Sequence, residues 1–147
     1  LFLAGTPSCM PPRALSTFDN AMASGGTVLA SGTPAVVSAA MYFDSAPDKD
    51  SIERAVHERL LPFDVMSGRP EQGHWQPTPE FSMSSHLFYH DVDGENDLNS
   101  FIEANAAEPL RNKAHGPWWE IHSVRTRNPK ARDMIFFRIE HACGDGI

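Results

Sequence analysis

The 147-residue chain carries 12 basic and 19 acidic residues, a net charge of -7, and is 41% apolar and 21% charged. That length suits one domain, which buries roughly two-thirds of the surface its unfolded chain exposes. The acidic balance argues against nucleic acid as a partner, because phosphate binding needs a basic face that releases counterions. Two cysteines, Cys9 and Cys143, are too few for a disulfide scaffold or metal cluster, and a reducing compartment is preferred.

No stretch reaches the roughly 18 apolar residues of a transmembrane helix. The richest window, 27–43, is broken by Ser31-Gly32-Thr33-Pro34. The chain begins at Leu1 without Met and stops at Gly146-Ile147, directly after a dense polar motif. The expectation is therefore a piece of a longer protein.

Residues 1–14 read as an irregular segment, with Pro, Gly, Ser and Thr abundant as far as residue 34. Leu15-Ser16-Thr17-Phe18-Asp19 reads as a cap followed by a short helical turn. Residues 35–43 (AVVSAAMYF) have the apolar run of a buried strand. A helix follows, with Asp50-Ser51-Ile52-Glu53 as its capping box and Ile52, Ala55, Val56 and Leu60 along one face, ended by Pro62.

Residues 68–80 are Pro- and Gly-rich around Trp75 and read as a loop or an edge strand, and 81–92 as an extended segment holding His86 and His90. Asn96 or Asp97 opens a second helix with Leu98, Phe101, Ile102 and Asn105 on one side, stopped near Pro109. Strands over 119–126 and 134–141 are joined by the turn Asn128-Pro129-Lys130. In the second strand Phe137, Ile139 and His141 share one face, and Phe136, Arg138 and Glu140 the other. This order implies an α/β domain whose last two strands are antiparallel.

The chemistry concentrates in His141-Ala142-Cys143-Gly144-Asp145-Gly146. A histidine at a strand end, followed by a Gly-Asp-Gly turn, stands where the backbone bends and a site can open. Imidazole titrates near neutrality and can act as general base toward a hydroxyl or thiol. A nearby carboxylate can orient it or pin the loop, and the glycines leave room for a substrate. Taken alone, such a histidine is more often a packed or surface residue.

About twenty residues upstream stands Gly116-Pro117-Trp118-Trp119-Glu120-Ile121-His122-Ser123-Val124. Together with Glu140-His141-Ala142-Cys143-Gly144-Asp145-Gly146 it resembles the N-terminal half of the wax ester synthase/diacylglycerol acyltransferase family, within the CoA-dependent acyltransferases that share an HHxxxDG motif. Pro117-Trp118-Trp119-Glu120 is similar to that family's Pro-Leu-Trp-Glu, Leu15-Ser16-Thr17-Phe18-Asp19 to its Leu-Ser-Pro-Leu-Asp, and Glu108-Pro109-Leu110 to its Arg-Pro-Leu. The stretch 80–86 also falls in the family's order, so the resemblance spans about residues 15–147. Two departures stand out: Glu140 replaces the first histidine of the pair, and Trp118 replaces a leucine.

The resemblance implies an α/β, chloramphenicol-acetyltransferase-like lobe over 15–147, a mixed sheet with helices packed on it, and a substrate channel against a C-terminal lobe outside this chain. It implies His141 as catalytic base, Asp145 and Gly146 as structural members of the motif, and Glu140 turned away from the channel. Acyl-CoA is the co-substrate and a long-chain alcohol or diacylglycerol the acceptor, with no cofactor. It further implies a peripheral membrane contact at the cytoplasmic face, at the endoplasmic reticulum in a eukaryote. The alternatives are another HxxxDG acyltransferase, plant-type or condensation-like, and an inactive lipid-binding fragment.

Other residues have plainer readings. Trp118 and Trp119 are candidates to line an acyl channel, with core packing favoured for at least one. His86, His90 and His122 lack metal-site spacing and read as surface or satisfied histidines. Cys143 reads as a small filler in a turn, and the acidic run Asp91 to Asp97 as a solvated turn. An isolated lobe is expected to leave apolar surface uncovered, with the strand 134–139 lacking a neighbour on one edge.

Overall fold

The computed structural model describes residues 13–15, 36–78, 81–114 and 116–143. Its strands are β1 (Arg13–Ala14), β2 (Val36–Phe43), β3 (Gly68–Glu71), β4 (His74–Pro77), β5 (Leu87–Val92), β6 (Trp119–Thr126) and β7 (Asp133–Glu140). Its helices are α1 (Lys49–Ala55), continued by a π-helical turn over Val56–Leu60, α2 (Asp64–Ser67) and α3 (Glu95–Ala106). Short 3-10 turns cover Met83–Ser85 and His141–Cys143. The cluster at 16–19, Cys9, Asp145 and Gly146 lie outside the described residues.

A four-stranded sheet, ordered β2-β7-β6-β5, forms the frame. β6 and β7 are antiparallel, as their hairpin turn requires, and β2 joins β7 antiparallel. β5 pairs with β6 in parallel, the crossover being made by α3 and the loop after it. The strand 134–139 is therefore interior, flanked on both sides, contrary to the expected open edge; among the described strands β2 and β5 form the edges.

Alternation gives the sheet two faces. On the first, Trp119, Ile121, Ile135 and Leu87 meet Ile52 of α1, Val56 of its π-helical continuation and Met66, with Phe137 and Ile139 packed against them. On the second, Val124, Met134 and Phe136 meet Leu98 of α3, flanked by Phe101 and Ile102. Both helices thus present the stripes their spacing predicts.

Two helix starts differ from those expected. The cap of α1 is Asp48, not Asp50: the Asp48 carboxylate accepts from the Ser51 backbone N–H at 2.7 Å. That bond, and a second through the Ser51 side chain, hold the Asp48 carboxyl below its ordinary value. Helix α3 begins at Glu95, and Asp97 lies in its first turn, where its carboxylate accepts from the Gly94 N–H at 3.0 Å. At α1 two nearby carboxylates were candidate caps and the donor within reach decided between them, whereas at α3 the cap is Gly94.

Residues 68–77, expected as a loop or an edge strand, form a hairpin whose β3 is an edge of the smaller sheet among the described strands. Gln72 (φ 51°) and Gly73 (φ 78°) make its two-residue turn in the left-handed region, matching strand twist. Gly68 is required by close approach, since a Cβ there would stand 2.6 Å from the Gln76 carbonyl oxygen. β1 adds to this hairpin beside β4. β2, expected to be buried, is mostly exposed, with Val37, Met41 and Tyr42 open to solvent.

The corrected cap predicts an asymmetry between two neighbouring carboxylates. Asp48→Ala should lower the thermal unfolding midpoint by a few degrees, while Asp50→Ala leaves it nearly unchanged. Equal shifts in calorimetry of the two variants would contradict the Asp48 cap.

Candidate functional site

β7 runs as a strand to Glu140 and then tightens into the 3-10 turn His141–Cys143. His141 thus stands one residue past the strand, half-buried, while Ala142 and Cys143 are buried behind it. The turn is anchored in an apolar cluster in which Ala142 and Cys143 pack with Trp75, Leu110 and Trp118. Cys143 fills space there, its Sγ 3.9 Å from the Trp118 carbonyl oxygen.

The segment Pro117-Trp118-Trp119-Glu120 lies directly beside this turn. The Glu140 N–H donates to the Trp118 carbonyl at 2.9 Å, and the register then sets Trp119 opposite Ile139 and Glu120 opposite Arg138. Two motifs about twenty residues apart in sequence are one structural unit.

The structure packs both tryptophans into the core of this chain. Trp119 is fully buried, its indole N–H donating to the Met66 carbonyl at 2.7 Å and its ring lying 4.6 Å from that of His86. Trp118 donates to the Lys113 carbonyl at 3.0 Å, and the Lys113 ammonium sits 4.7 Å above its ring. Lys113 also reaches Glu140 at 3.1 Å, a buried carboxylate given a counter-charge. Where the resemblance has the first histidine of the pair, this chain has Glu140, paired with Lys113.

On the second sheet face lies a network that the sequence reading did not assemble. Glu120 and Arg138 are 0% and 1% exposed and form a close ion pair. Arg138 also donates to the Glu108 carbonyl, and Glu120 accepts the Arg111 N–H at 3.1 Å. The pair therefore fastens the loop 108–111 to the strands that carry His141. Its signal was present: counting outward from the Asn128-Pro129 turn brings Glu120 opposite Arg138.

The network continues outward. The Glu120 carboxylate is 3.0 Å from His122 Nε2, and His122 Nδ1 is 3.0 Å from His90 Nε2. Burial would raise the Glu120 carboxyl, but hydrogen bonds from His122 and the Arg111 N–H, with the charges of His122 and Arg138, outweigh it and hold the group below its usual range. His90 moves the other way, down to about 4, through burial and then the charges of His122 and Arg111.

His86 is likewise lowered, chiefly by burial, and its Nδ1 lies 2.9 Å from the Trp119 carbonyl. These histidines are committed to internal partners. Among the described residues no group of three or more His, Cys, Asp or Glu is arranged to hold a metal ion, and no helix is long and apolar enough to cross a membrane.

No protein-family model and no curated protein matches the sequence. Solved structures do match the fold. The starter condensation domain of rhizomide synthetase is similar over 93% of this chain at 16% identity and a TM-score of 0.67, over 34% of that chain. The wax ester synthase/diacylglycerol acyltransferase from Marinobacter aquaeolei VT8 matches 91% of this chain at 15% identity and a TM-score of 0.62, again over 34% of that chain.

The first condensation domain of the calcium-dependent antibiotic synthetase, with a bound substrate analogue, matches 92% at 14% identity and a TM-score of 0.63, over 35% of that chain. One rhizomide synthetase structure, a mutant of the same starter domain, is a complex with C8-CoA; it matches at 13% identity and a TM-score of 0.63. The chain spans about a third of the length of these structures. Its fold is the mixed α/β, chloramphenicol-acetyltransferase-like lobe of condensation and acyltransferase proteins.

Removing one member of the Glu120–Arg138 pair strands a buried charge. Arg138→Met should cost about 3–5 kcal/mol, and the double replacement Glu120→Met/Arg138→Met should recover most of that loss. Denaturant unfolding of the three chains reads this directly; a double variant no better than the single would count against the pair.

His90 makes a pH-dependent contribution of defined sign. Its pKa lies below 6.5 in the fold, so the unfolded chain binds the proton first as pH falls. The stabilisation is complete above pH 6.5 and is lost progressively down to about pH 4. His90→Phe should flatten the slope of unfolding free energy across that window, and an unchanged slope would refute the assignment.

Proposed function

We propose that this chain is the histidine-bearing part of an acyl-CoA-dependent O-acyltransferase that moves a long-chain acyl group to a fatty alcohol or diacylglycerol. The observation that carries the reading is the docking of Pro117-Trp118-Trp119-Glu120 against the His141 turn through the Glu140–Trp118 backbone bond. Those two segments are the ones on which the family resemblance rests, and a lobe of the corresponding fold supports it.

In this reading His141 takes the proton of the acceptor hydroxyl as the alcohol oxygen attacks the thioester carbonyl carbon. The carbon–sulfur bond breaks as the ester forms, and the imidazolium returns the proton to the departing CoA thiolate. No acyl-enzyme and no cofactor are needed. Asp145 holds the motif loop through an arginine supplied by the C-terminal lobe, and Gly146 leaves space at the reaction centre. Acyl-CoA and the acceptor meet in a channel between lobes, with the protein at the cytoplasmic face of a membrane. A neighbour solved with C8-CoA supports the acyl donor.

A second reading is amide formation, favoured by the condensation domains among the neighbours. The two differ in acceptor. Purified full-length protein given a long-chain acyl-CoA should acylate hexadecanol or diacylglycerol; transfer to amines alone would favour the second reading. His141→Ala should lower the rate by about 10²–10⁴-fold with folding intact. Retention of more than a tenth of the activity by a folded variant would remove His141 from the base role.

A further inference from the structure

The chain of groups Glu120–His122–His90 on the second sheet face has no part in the proposed transfer. Glu120 and His122 are both 0% exposed, and of the three only His90, half-buried on the edge strand β5, reaches solvent. Phe88 stacks on His122 with ring centroids 5.1 Å apart, and the Phe101 ring lies 4.8 Å from His90 and 5.5 Å from His122. The charged groups that face the histidine pair are Glu120 of β6, Arg138 of β7 behind it, and Arg111 of the loop 108–111. From α3 and β5 the pair meets the Phe101 and Phe88 rings.

Donor and acceptor roles along this chain are fixed by its inner end. An ionised carboxylate only accepts, so His122 Nε2 carries the hydrogen in its 3.0 Å contact with Glu120. The other nitrogen of a neutral imidazole is then an acceptor, so His90 Nε2 donates to His122 Nδ1 across the second 3.0 Å contact. That leaves His90 Nδ1 as the free ring lone pair of the chain, with no hydrogen-bond partner among the described residues. A proton from solvent binds there.

Its arrival reverses the inner bond without moving a heavy atom. As the His90 Nδ1–H bond forms, the Nε2–H bond breaks and that proton passes to His122 Nδ1. The imidazolium is now His122, and its bond to the Glu120 carboxylate becomes charge-assisted, roughly twice as strong as a neutral one. His90 is left neutral, farther from the carboxylate and near the Arg111 cation. Coulomb attraction weakens with distance, so the inner ring is the better seat for the charge. A second proton would enter beside two cations, in keeping with the fall of His90 to about 4 through burial and the charges of His122 and Arg111.

We propose that Glu120, His122 and His90 form a one-proton switch: His90 is the port, buried His122 holds the charge against Glu120, and loading turns the outward His90 Nδ1 from acceptor to donor. The switch converts pH into the hydrogen-bonding sense of a surface group. It does not depend on acyl transfer at His141.

The test is long-range 1H–15N NMR of the purified full chain, labelled at histidine, between about pH 10 and pH 4.5. At the alkaline end both rings should carry their hydrogen on Nε2. On acidification His122 should gain a second N–H while His90 stays neutral and moves its hydrogen to Nδ1, both at one midpoint. His90 as the first imidazolium, separate midpoints for the two rings, or no tautomer change at His90 would overturn the switch. The spectrum of the unaltered chain decides this by itself. Glu120→Gln/Arg138→Met, which removes the carboxylate with its counter-charge, should lower the midpoint by about one pH unit or more. An unchanged midpoint in that variant would remove Glu120 from the switch.

Discussion

The Glu120–Arg138 ion pair is the interaction on which the arrangement around His141 depends. Two opposite charges withdrawn from water are costly to desolvate, and further hydrogen bonds to the same groups offset part of that cost. Here Glu120 also accepts from the Arg111 N–H and His122, and Arg138 also donates to the Glu108 carbonyl. Each added bond ties in a different segment. Satisfying one buried carboxylate therefore fixes the register of β6 on β7 and the course of the loop 108–111, and places Leu110 in the cluster behind the His141 turn.

The two sheet faces carry different loads. The face under α3 is where charge is buried, shielded by Phe101 and Phe136, whose rings lie against His122. The face under α1 buries no ion pair: it is mainly apolar, with His86 lying against Trp119 and a π turn beside a shallow apolar pocket. β7 belongs to both, and the change from strand to 3-10 turn after Glu140 ends that alternation. His141 therefore stands in the turn, one residue past the strand on which alternation was counted.

β2 shows the limit of composition as a guide to burial. Its run of Val, Ala, Met, Tyr and Phe is that of a core strand, yet it forms a sheet edge with Val37, Met41 and Tyr42 exposed. Burial is a property of what lies above and beside a strand, and neither α1 nor α3 extends over the whole of this one. The neighbours of similar fold are about three times longer.

Local chemistry in the sequence determined the β6–β7 hairpin, through its Asn-Pro turn and alternating flanks, and the apolar stripes of α1 and α3. It also singled out His141 and the Pro117-Trp118-Trp119-Glu120 segment, because those residue types at that spacing are themselves the signal. Cap positions were ambiguous, since Asp48 and Asp50 offer the same carboxylate and only the donor within reach separates them. What tertiary structure alone decided were the polar partnerships outside that hairpin: Glu120 with Arg111, His122 with His90, Lys113 with Glu140. A polar side chain bears no local mark of its partner across the fold. The hydrogen bonds of a buried group are selected by whatever backbone and side chains close over it, and that closure exists only once the sheet and helices have packed.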